Sequence, residues 1–251
     1  MRVALVADIH SNLHALEAVL ARVKELKPDR VICLGDIVGY NAFPSECIAM
    51  TAEHCDQIVM GNHDRESAGR EPTIGTSSVA RAAQIWTQAK LSESEMAWLN
   101  ALPNKAIEPD VYIAVHGCYL NPEHVNGYVT NTMLAANLAA IEKETAWPRV
   151  AFCGHTHVPM LAWTVGKTGE ITSEVPSAEH AWPVNARAVL INPGSVGQPR
   201  DFDPRAAFAI VDFDARTVTQ HRVTYDVGLA AAAVMDAGLP NTLAARLEKG
   251  R

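Results

Sequence analysis

The chain has 251 residues, a formal net charge of −7 and a hydrophobic fraction of 48%. A chain of this length buries about three-quarters of the surface that its unfolded form exposes, so it needs no disulfide bonds to be stable. The acidic balance argues against a broad surface for nucleic acid or anionic membranes, and we expect neither long nucleic acids nor membranes as partners.

Three strand-to-helix units are predicted in the first 64 residues. Apolar runs predict strands at 2–7, 30–35 and 56–61. The first helix begins near Leu13 and ends before Pro28, and a second helix follows over 44–55. Short strands that alternate with helices predict a parallel sheet with right-handed crossovers.

The segment at about 65–107 is predicted to be a helical insertion into this pattern. It contains predicted helices at 77–90 and 92–102. Ser92 and Glu95 have the spacing of a capping box, which supports a helix start at this point.

The second half of the chain is rich in predicted strands. Strands are expected at 111–115, 150–153, 188–192, 206–213 and 217–225, with a hairpin over 160–175 around residues 166–169. Helices are expected near 130–143 and 228–249, and Pro240 starts the last one. We therefore favour an α/β fold with two sheets in a sandwich flanked by helices, as one domain over 1–251; a single doubly wound sheet is the alternative.

Cysteine usage and hydropathy indicate the compartment. The five cysteines form no CxxC pair, and Cys33 and Cys153 lie inside apolar strand patterns, where a free cysteine is usually a small buried hydrophobe. The sequence contains no recognisable signal peptide and no apolar stretch of about 20 residues. These features predict a reduced, cytoplasmic protein.

Metal-ligand residue types follow five of the predicted strands. They are Asp8 and His10, Asp36, Asn62 and His63, His116, and His155 and His157. In open α/β sheets, ligands bind outside the C-terminal ends of the strands. Such ends would bring two carboxylates, an amide and several imidazoles into one crevice. That is a ligand set for two metal ions, and it points to hydrolysis of a phosphoester.

The charge balance of such a site suits a phosphate. Two divalent ions bring about +4 and two carboxylates about −2, so the site keeps about +2. Ions about 3.5–4 Å apart clamp the attacking and leaving oxygens, and a bridging hydroxide formed near neutral pH would be the nucleophile. Asp36 is the candidate for a carboxylate shared by both ions. Mixed His, Asp and Asn ligands favour Mn, Fe or Zn, then Ni or Co, over Mg.

Five short motifs occur in order along the chain. They are Asp8-Ile9-His10, Gly35-Asp36-Ile37-Val38-Gly39, Gly61-Asn62-His63-Asp64, His116-Gly117 and Gly154-His155-Thr156-His157. Together they resemble the calcineurin-like metallophosphoesterase superfamily. The stretch at 192–200 resembles the C-terminal part of a bacterial and archaeal branch of small phosphodiesterases, so the resemblance covers most of the chain.

The resemblance implies a four-layer α/β/β/α sandwich, with two mixed β-sheets flanked by helices. It implies a first ion held by Asp8, His10, Asp36 and His157, and a second ion held by Asp36, Asn62, His116 and His155. His63 would not be a ligand; it would lie near the leaving-group oxygen as a general acid or hydrogen-bond donor. Asp64 would orient His63, as carboxylates orient imidazoles. Capping of the following helix is the alternative role for Asp64.

One departure from the family pattern reduces the range of substrates that we expect. Protein Ser/Thr phosphatases and symmetric diadenosine tetraphosphate hydrolases of this superfamily usually carry a GNHE motif and an Arg near the GDxxx motif. This chain has Tyr40 and Asn41 after the second motif and Asp64 in place of the Glu. The missing Arg removes an expected bidentate phosphate clamp, which argues against protein phosphatase activity.

We therefore expect a phosphoesterase that uses two metal ions and acts on a small phosphodiester substrate. The more specific prediction is that this substrate is a nucleotide or a dinucleoside polyphosphate. A phosphomonoesterase is the alternative. A non-catalytic metal-binding interaction protein is weaker still, because His63 and every ligand position are present. The sequence leaves open whether Arg65, Arg200, Tyr40 and Tyr128 contact the substrate.

Overall fold

The computed structural model describes residues 1–70, 77–124, 126–166, 169–176 and 178–251. The strands of these ranges are β1 (Arg2–Val6), β2 (Arg30–Cys33), β3 (Gln57–Ile58), β4 (Lys105–Glu108), β5 (Tyr112–Val115), β6 (Val150–Phe152), β7 (Pro159–Val165), β8 (Glu170–Glu174), β9 (Glu179–Ala181), β10 (Ala188–Pro193), β11 (Ala206–Asp212) and β12 (Thr217–Val223). The helices are α1 (Leu13–Leu26), α2 (Pro44–His54), α3 (Asn62–Ser67), α4 (Ser78–Lys90), α5 (Glu93–Ala101), α6 (Leu134–Lys143), α7 (Val227–Asp236) and α8 (Asn241–Lys249). No helix in these ranges is long and apolar enough to span a bilayer.

The strands form two mixed sheets of six strands each. The first sheet has the order β3-β2-β1-β11-β12-β9, and the second has the order β4-β5-β6-β10-β7-β8. Strands β1, β2 and β3 are parallel, as are β5, β6 and β10, and the remaining neighbours are antiparallel. The alternative of one doubly wound sheet is therefore excluded.

Hydrophobic residues divide the molecule into four layers, as the family resemblance implies. Alternation along β1 points Val3 and Leu5 toward the second sheet, where they pack in one cluster with Phe152 and Ile191. The opposite face of the first sheet packs with α1 in a second cluster. The outer face of the second sheet packs against α6 in a third cluster. The order of layers is helix, sheet, sheet, helix.

Two short strands were not anticipated from the sequence. The expected helical insertion contains α4 and α5, but its last residues form β4, which pairs antiparallel with β5 at the edge of the second sheet. Strand β9 pairs with β12 at the edge of the first sheet. Both strands are three or four residues long and partly exposed, so neither leaves an apolar run in the sequence.

Other local predictions are confirmed. Ser92 and Glu95 form the reciprocal capping box at the start of α5. Strands β7 and β8 form the expected hairpin, although residues 167 and 168 of its turn lie outside the described ranges. The last helix follows Pro240.

The loop at 194–197 packs directly on the loop that follows β1. The N–H groups of Val196 and Gly197 donate to the carbonyls of Ala7 and Asp8, each at 2.9 Å. A Cβ atom on Gly197 would lie 1.7 Å from the carbonyl oxygen of Ile9. Only a glycine therefore allows this close approach of the two backbones.

Gly197→Ala is expected to destabilise the protein by about 3 kcal/mol, because one of the two loops must move. For a chain of this size, that corresponds to a melting temperature lower by roughly 6–12 °C. Differential scanning calorimetry measures the shift. Gly228→Ala is the matched control, since Gly228 lies in α7 with an ordinary φ angle and its added Cβ meets only the Asp226 carboxylate at 3.3 Å. Equal melting temperatures for the two variants would contradict this packing argument.

Candidate metal centre and cleft

The predicted ligand residues meet at the C-terminal ends of the central strands. The loop after β1 is hydrogen-bonded to the loop after β2: the N–H of Asp8 donates to the Gly35 carbonyl at 3.0 Å, and the N–H of His10 donates to the Asp36 carbonyl at 2.9 Å. The second sheet joins this pair, because the N–H of His155 donates to both oxygens of the Asp8 carboxylate at 3.0 and 3.1 Å. Residues from both sheets therefore share one site.

The backbone at these ligands is strained. Positive φ angles between 48° and 66° occur at five of the seven predicted ligands: Asp8, His10, Asp36, His155 and His157. Each such residue costs of order 1–2 kcal/mol relative to an ordinary conformation. Strained backbone of this kind persists only where the surrounding structure holds it, and it clusters at functional sites.

The ligand atoms fall into two groups that share Asp36. One group consists of Asp8, His10, Asp36 and His157, and the other of Asp36, His116 and His155. Within each group the ligand atoms lie within 4.8 Å of one another, and all of these side chains are buried. The division is the one that the family resemblance implies, with Asp36 between the two groups.

Separations between ligand atoms are those of a coordination shell. In the first group, His10 Nε2 lies 3.1 Å from His157 Nε2 and 3.6 Å from Asp36 Oδ2. In the second group, His116 Nε2 lies 3.1 Å from His155 Nδ1 and 3.3 Å from Asp36 Oδ2. Atoms bound about 2.1 Å from one ion lie roughly 3.0–3.4 Å from their neighbours in octahedral or tetrahedral geometry. The residues present therefore fit a cation in each group.

Backbone carbonyls orient three of the imidazoles. The Nδ1 atoms of His10, His116 and His157 lie 3.1, 2.7 and 2.6 Å from the carbonyl oxygens of Val38, Leu34 and Gln198, respectively. A proton on Nδ1 donates to each carbonyl and leaves the lone pair of Nε2 directed into the group. This second interaction fixes both the tautomer and the ring orientation that a metal ligand needs.

The amide of Asn62 completes the second group. Its inward atom lies 2.9 Å from His155 Nδ1, 3.2 Å from His116 Nε2 and 3.3 Å from Asp36 Oδ2. When the amide oxygen points inward, it faces lone pairs of His155, His116 and Asp36, and either a proton on His116 or a cation compensates their repulsion. When the amide is turned over, its NH2 group donates to the same three atoms. A bound cation thus selects the orientation with the oxygen inward.

Without a cation, the buried cluster retains protons. Burial raises the pKa of Asp8 to about 7. Burial alone would lower the pKa of His116, but the Asp36 carboxylate 3.3 Å away raises it to about 9. Burial, together with the positive charge of His116, lowers the pKa of His155 to about 3. A divalent ion would replace the proton on His116, so metal binding is coupled to proton release.

His63 lies beside the two groups. Its ring packs against the rings of His10 and Tyr40, with centroids 4.8 and 4.5 Å away. Nδ1 of His63 lies 3.3 Å from Oε1 of Gln84, and Nε2 of Gln84 donates to the His63 carbonyl at 2.7 Å. Gln84 therefore orients the imidazole. Sequence reasoning missed this residue because it belongs to α4 and stands in no motif.

Asp64 has the capping role and does not orient His63. One carboxylate oxygen accepts from the N–H of Gly61 at 2.9 Å. The other accepts from the N–H groups of Ile37 and Val38 at 2.8 and 3.2 Å. Both oxygens are thus engaged with the backbone, and they tie the loop after β2 to the start of α3. The expectation that this carboxylate orients His63 is corrected: Gln84 does so.

A cleft of about 760 Å³ opens beside the ligands. Three of the four residues that the sequence left open line it: Tyr40, Tyr128 and Arg200. The ring of Tyr128 stacks on the His155 ring with centroids 3.9 Å apart. Arg65 instead donates from Nη2 to Asn104 Oδ1 at 2.7 Å. Two further arginines of the cleft were not predicted, Arg246 and Arg251, because they follow the last motif by more than forty residues.

Comparisons with known proteins agree with this architecture. The family model of the calcineurin-like phosphoesterase superfamily domain matches residues 1–216. An uncharacterized protein of Methanocaldococcus jannaschii is 31% identical over 256 residues, which cover 99% of this chain and 98% of that protein. A metallophosphoesterase structure from Sphaerobacter thermophilus is 36% identical, with a TM-score of 0.84 over 100% of this chain and 99% of that one. A hypothetical protein from Pyrococcus horikoshii shares the fold, with a TM-score of 0.77 at 20% identity over 100% and 98% of the chains.

Addition of Mn²⁺ or Zn²⁺ to the metal-stripped protein is expected to raise the melting temperature. One ion at 100 times its Kd contributes about 2.7 kcal/mol, which corresponds to a rise of roughly 5–10 °C for a chain of this size. Asp36→Asn should remove most of this rise because Asp36 belongs to both groups. Differential scanning fluorimetry measures the shift, and mass spectrometry of the native protein counts the bound ions.

Asp236→Asn is the matched control, because Asp236 is an exposed carboxylate on α7. It should respond to metal as the wild type does. A wild-type melting temperature that no divalent metal changes, with no bound ions in the native mass spectrum, would show that these residues do not form a metal centre.

Proposed function

The chain belongs to the calcineurin-like phosphoesterase superfamily, and we propose that it hydrolyses small phosphodiesters with the help of two divalent metal ions. Family membership by itself supports a phosphoester hydrolase. The number of ions and the preference for a diester are the proposed parts. Manganese, iron and zinc are the first candidates for the ions, with nickel and cobalt next, because the ligands mix imidazole, carboxylate and amide groups.

The arrangement of ligand atoms around Asp36 is the observation that carries the proposal. Asp36 is the one residue that belongs to both groups of ligand atoms formed by the described residues. Its Oδ2 lies 3.6 Å from His10 Nε2 of the first group and 3.3 Å from His116 Nε2 of the second, whereas its Oδ1 accepts from the N–H of His63 at 2.8 Å. Oδ2 is therefore the Asp36 atom that would be shared by the two ions. The additional Asn62 amide gives the second group the same number of ligand residues as the first.

The residues around the two groups have separate roles in the proposed reaction. When bound, the ions neutralise the phosphate oxygens and supply a water nucleophile at neutral pH. Arg200 lines the cleft with its guanidinium 5.8 Å from the Tyr40 ring, and it would hold a non-bridging oxygen of the substrate. Because Gln84 accepts from Nδ1 of His63, Nε2 is the atom of this ring that exchanges a proton with the leaving oxygen.

The surroundings of the metal ligands favour a diester. Tyr40 contacts His10 of the first group at 4.6 Å between ring centroids, and Tyr128 stacks on His155 of the second group at 3.9 Å. Aromatic surface thus lies next to both groups, where the two ester substituents of a bound phosphate would extend. A cleft of about 760 Å³ also exceeds the needs of a phosphate and is in the range of nucleotide-sized ligands.

A phosphomonoesterase is the alternative. The observation in its favour is Arg200, whose positive charge would equally neutralise the dianion of a terminal phosphate. The experiment that separates the two functions compares bis(4-nitrophenyl) phosphate with 4-nitrophenyl phosphate on metal-stripped protein. Mn, Zn, Fe, Ni and Mg are added back one at a time.

A higher kcat/KM for the diester with a transition metal is the expected result. A higher kcat/KM for the monoester would replace the proposal by a phosphatase. Absence of hydrolysis of both compounds with every metal, despite two bound ions, would instead favour a non-catalytic metal-binding protein.

His63→Ala should keep the bound metal and lose most turnover. The side chain lies beside the ligand groups without belonging to either, so its loss removes proton transfer and leaves the coordination intact. The expected loss in kcat is roughly 100- to 10,000-fold. Stopped-time assays with the diester give kcat, and native mass spectrometry gives the metal content.

His54→Ala is the control for this variant, since His54 is an exposed histidine at the end of α2. Its kcat should equal that of the wild type. If His63→Ala hydrolyses the diester as fast as the control, His63 has no part in the reaction.

A further inference from the structure

Two further arginines line the cleft, one in the last helix and one directly after it. Arg246 of α8 and Arg251, which follows it, line the same cavity as Arg200 and the ligand residue His155. The match to the family model ends at residue 216, so these two arginines come from a part of the chain that lies outside the family pattern. The motifs therefore account for Arg200 and the metal ligands but not for Arg246 and Arg251.

Arginines outnumber carboxylates among the described residues that line the cleft, although Arg200 also interacts electrostatically with the nearby Asp8 carboxylate. The described lining contains three arginines and one acidic residue, Glu66, whereas the whole chain has a net charge of −7. Within the described ranges, no ion pair involves Arg200, Arg246 or Arg251. Like charges around one cavity repel each other, and an anionic ligand relieves this repulsion.

The carboxylates closest in sequence to Arg200 are already paired. Asp203 accepts two hydrogen bonds from Nε of Arg205, one to each oxygen, at 3.0 and 3.2 Å, and one from Nη2 at 2.6 Å. Asp201 forms an ion pair with Arg222. The acidic side chains of this loop are thus paired with other arginines and not with the arginines of the cleft.

Backbone contacts hold the end of α8 against this loop. The N–H of Phe202 donates to the Gly250 carbonyl at 2.8 Å, and the guanidinium of Arg251 lies 4.8 Å from the centre of the Phe202 ring. Gly250 has a φ of +60°, and an added Cβ would lie 2.6 Å from the backbone nitrogen of Asp203. Phe202 is two residues from Arg200, a span of at most about 7 Å of extended chain. Arg200 and Arg251 therefore lie on two backbone segments that are hydrogen-bonded to each other.

We propose that Arg246 and Arg251 bind a second phosphate group of the substrate, apart from the phosphate that is hydrolysed. This inference rests on the proposed phosphoesterase function and narrows its substrate class to phosphodiesters that carry a further phosphate. Guanidinium groups bind phosphate through two parallel hydrogen bonds, which makes arginine better suited than lysine to this position. Half-exposed Tyr128, on the same cleft, offers an aromatic face to the organic part of such a ligand.

A matched pair of chromogenic substrates tests the subsite. Thymidine 5′-(4-nitrophenyl phosphate) and its 3′-phosphorylated form have the same scissile diester and leaving group, and they differ only in the remote phosphate. The wild-type enzyme should show a kcat/KM at least roughly 10-fold higher for the 3′-phosphorylated form, mainly through KM. In the double variant Arg246→Gln, Arg251→Gln, the ratio of the two kcat/KM values should fall towards one.

Two single variants control for charge and for folding. Lys249→Gln removes the same charge from an exposed position of α8 and should keep the wild-type ratio. Arg246→Lys keeps the charge without the planar fork and should retain part of the ratio. A wild type without preference for the remote phosphate, or a double variant that keeps the full preference, would overturn the proposal.

Equilibrium binding separates a failure of the subsite from a failure of the proposed function. Calorimetry of the metal-loaded protein compares thymidine 3′,5′-bisphosphate with thymidine 5′-monophosphate, and it needs no turnover. Tighter binding of the bisphosphate in the wild type but not in the double variant would support the subsite even if neither chromogenic diester is hydrolysed. Equal affinities for both nucleotides in the wild type would contradict the subsite even if both diesters are hydrolysed.

Discussion

The loop that follows β1 is held on both sides by other loops, and the candidate metal centre depends on these contacts. On one side, the N–H groups of residues 8, 10 and 11 donate to carbonyls of residues 35, 36 and 37. On the other side, the Ser195 hydroxyl donates to the Asp8 carbonyl at 2.7 Å, and Gly197 allows the two backbones to touch. Main-chain hydrogen bonds thereby hold Asp8 and Asp36 in left-handed conformations that their side chains would not otherwise favour.

The packing of the two sheets sets the distances within each ligand group. Asp8, His10 and Asp36 come from the first sheet, whereas His116, His155 and His157 come from the second. The cluster between the sheets is close-packed around residues such as Leu5, Phe152 and Ile191, so the sheets have little freedom to slide. A hydrophobic core without any catalytic group therefore decides whether lone pairs from opposite sheets lie near 3 Å or too far apart for one ion.

Charge is distributed unevenly over the molecule. The chain is acidic overall, yet the cleft combines a metal-ligand cluster with three arginines from two separate parts of the sequence. Arginines that line a cleft in an acidic protein concentrate positive charge at one place on its surface. Arg200 belongs to the stretch that resembles small phosphodiesterases, and α8 supplies the other two charges. Asp201 and Asp203 pair with Arg222 and Arg205, so these two carboxylates do not pair with the arginines of the cleft.

The order of residues along the chain was enough to predict most strands, most helices and the candidate metal ligands. Apolar runs that stop at Asp8, Asp36, His116 and His155 are visible in the sequence because a buried strand and the polar residue at its end are neighbours in the chain. The short strands β4 and β9 form only through pairing with β5 and β12, and no apolar run marks them. Tertiary structure alone decided that Gln84 orients His63, that Asp64 caps α3, and that Arg246 and Arg251 reach the cleft. These contacts join residues far apart in sequence, and their geometry depends on how whole layers pack.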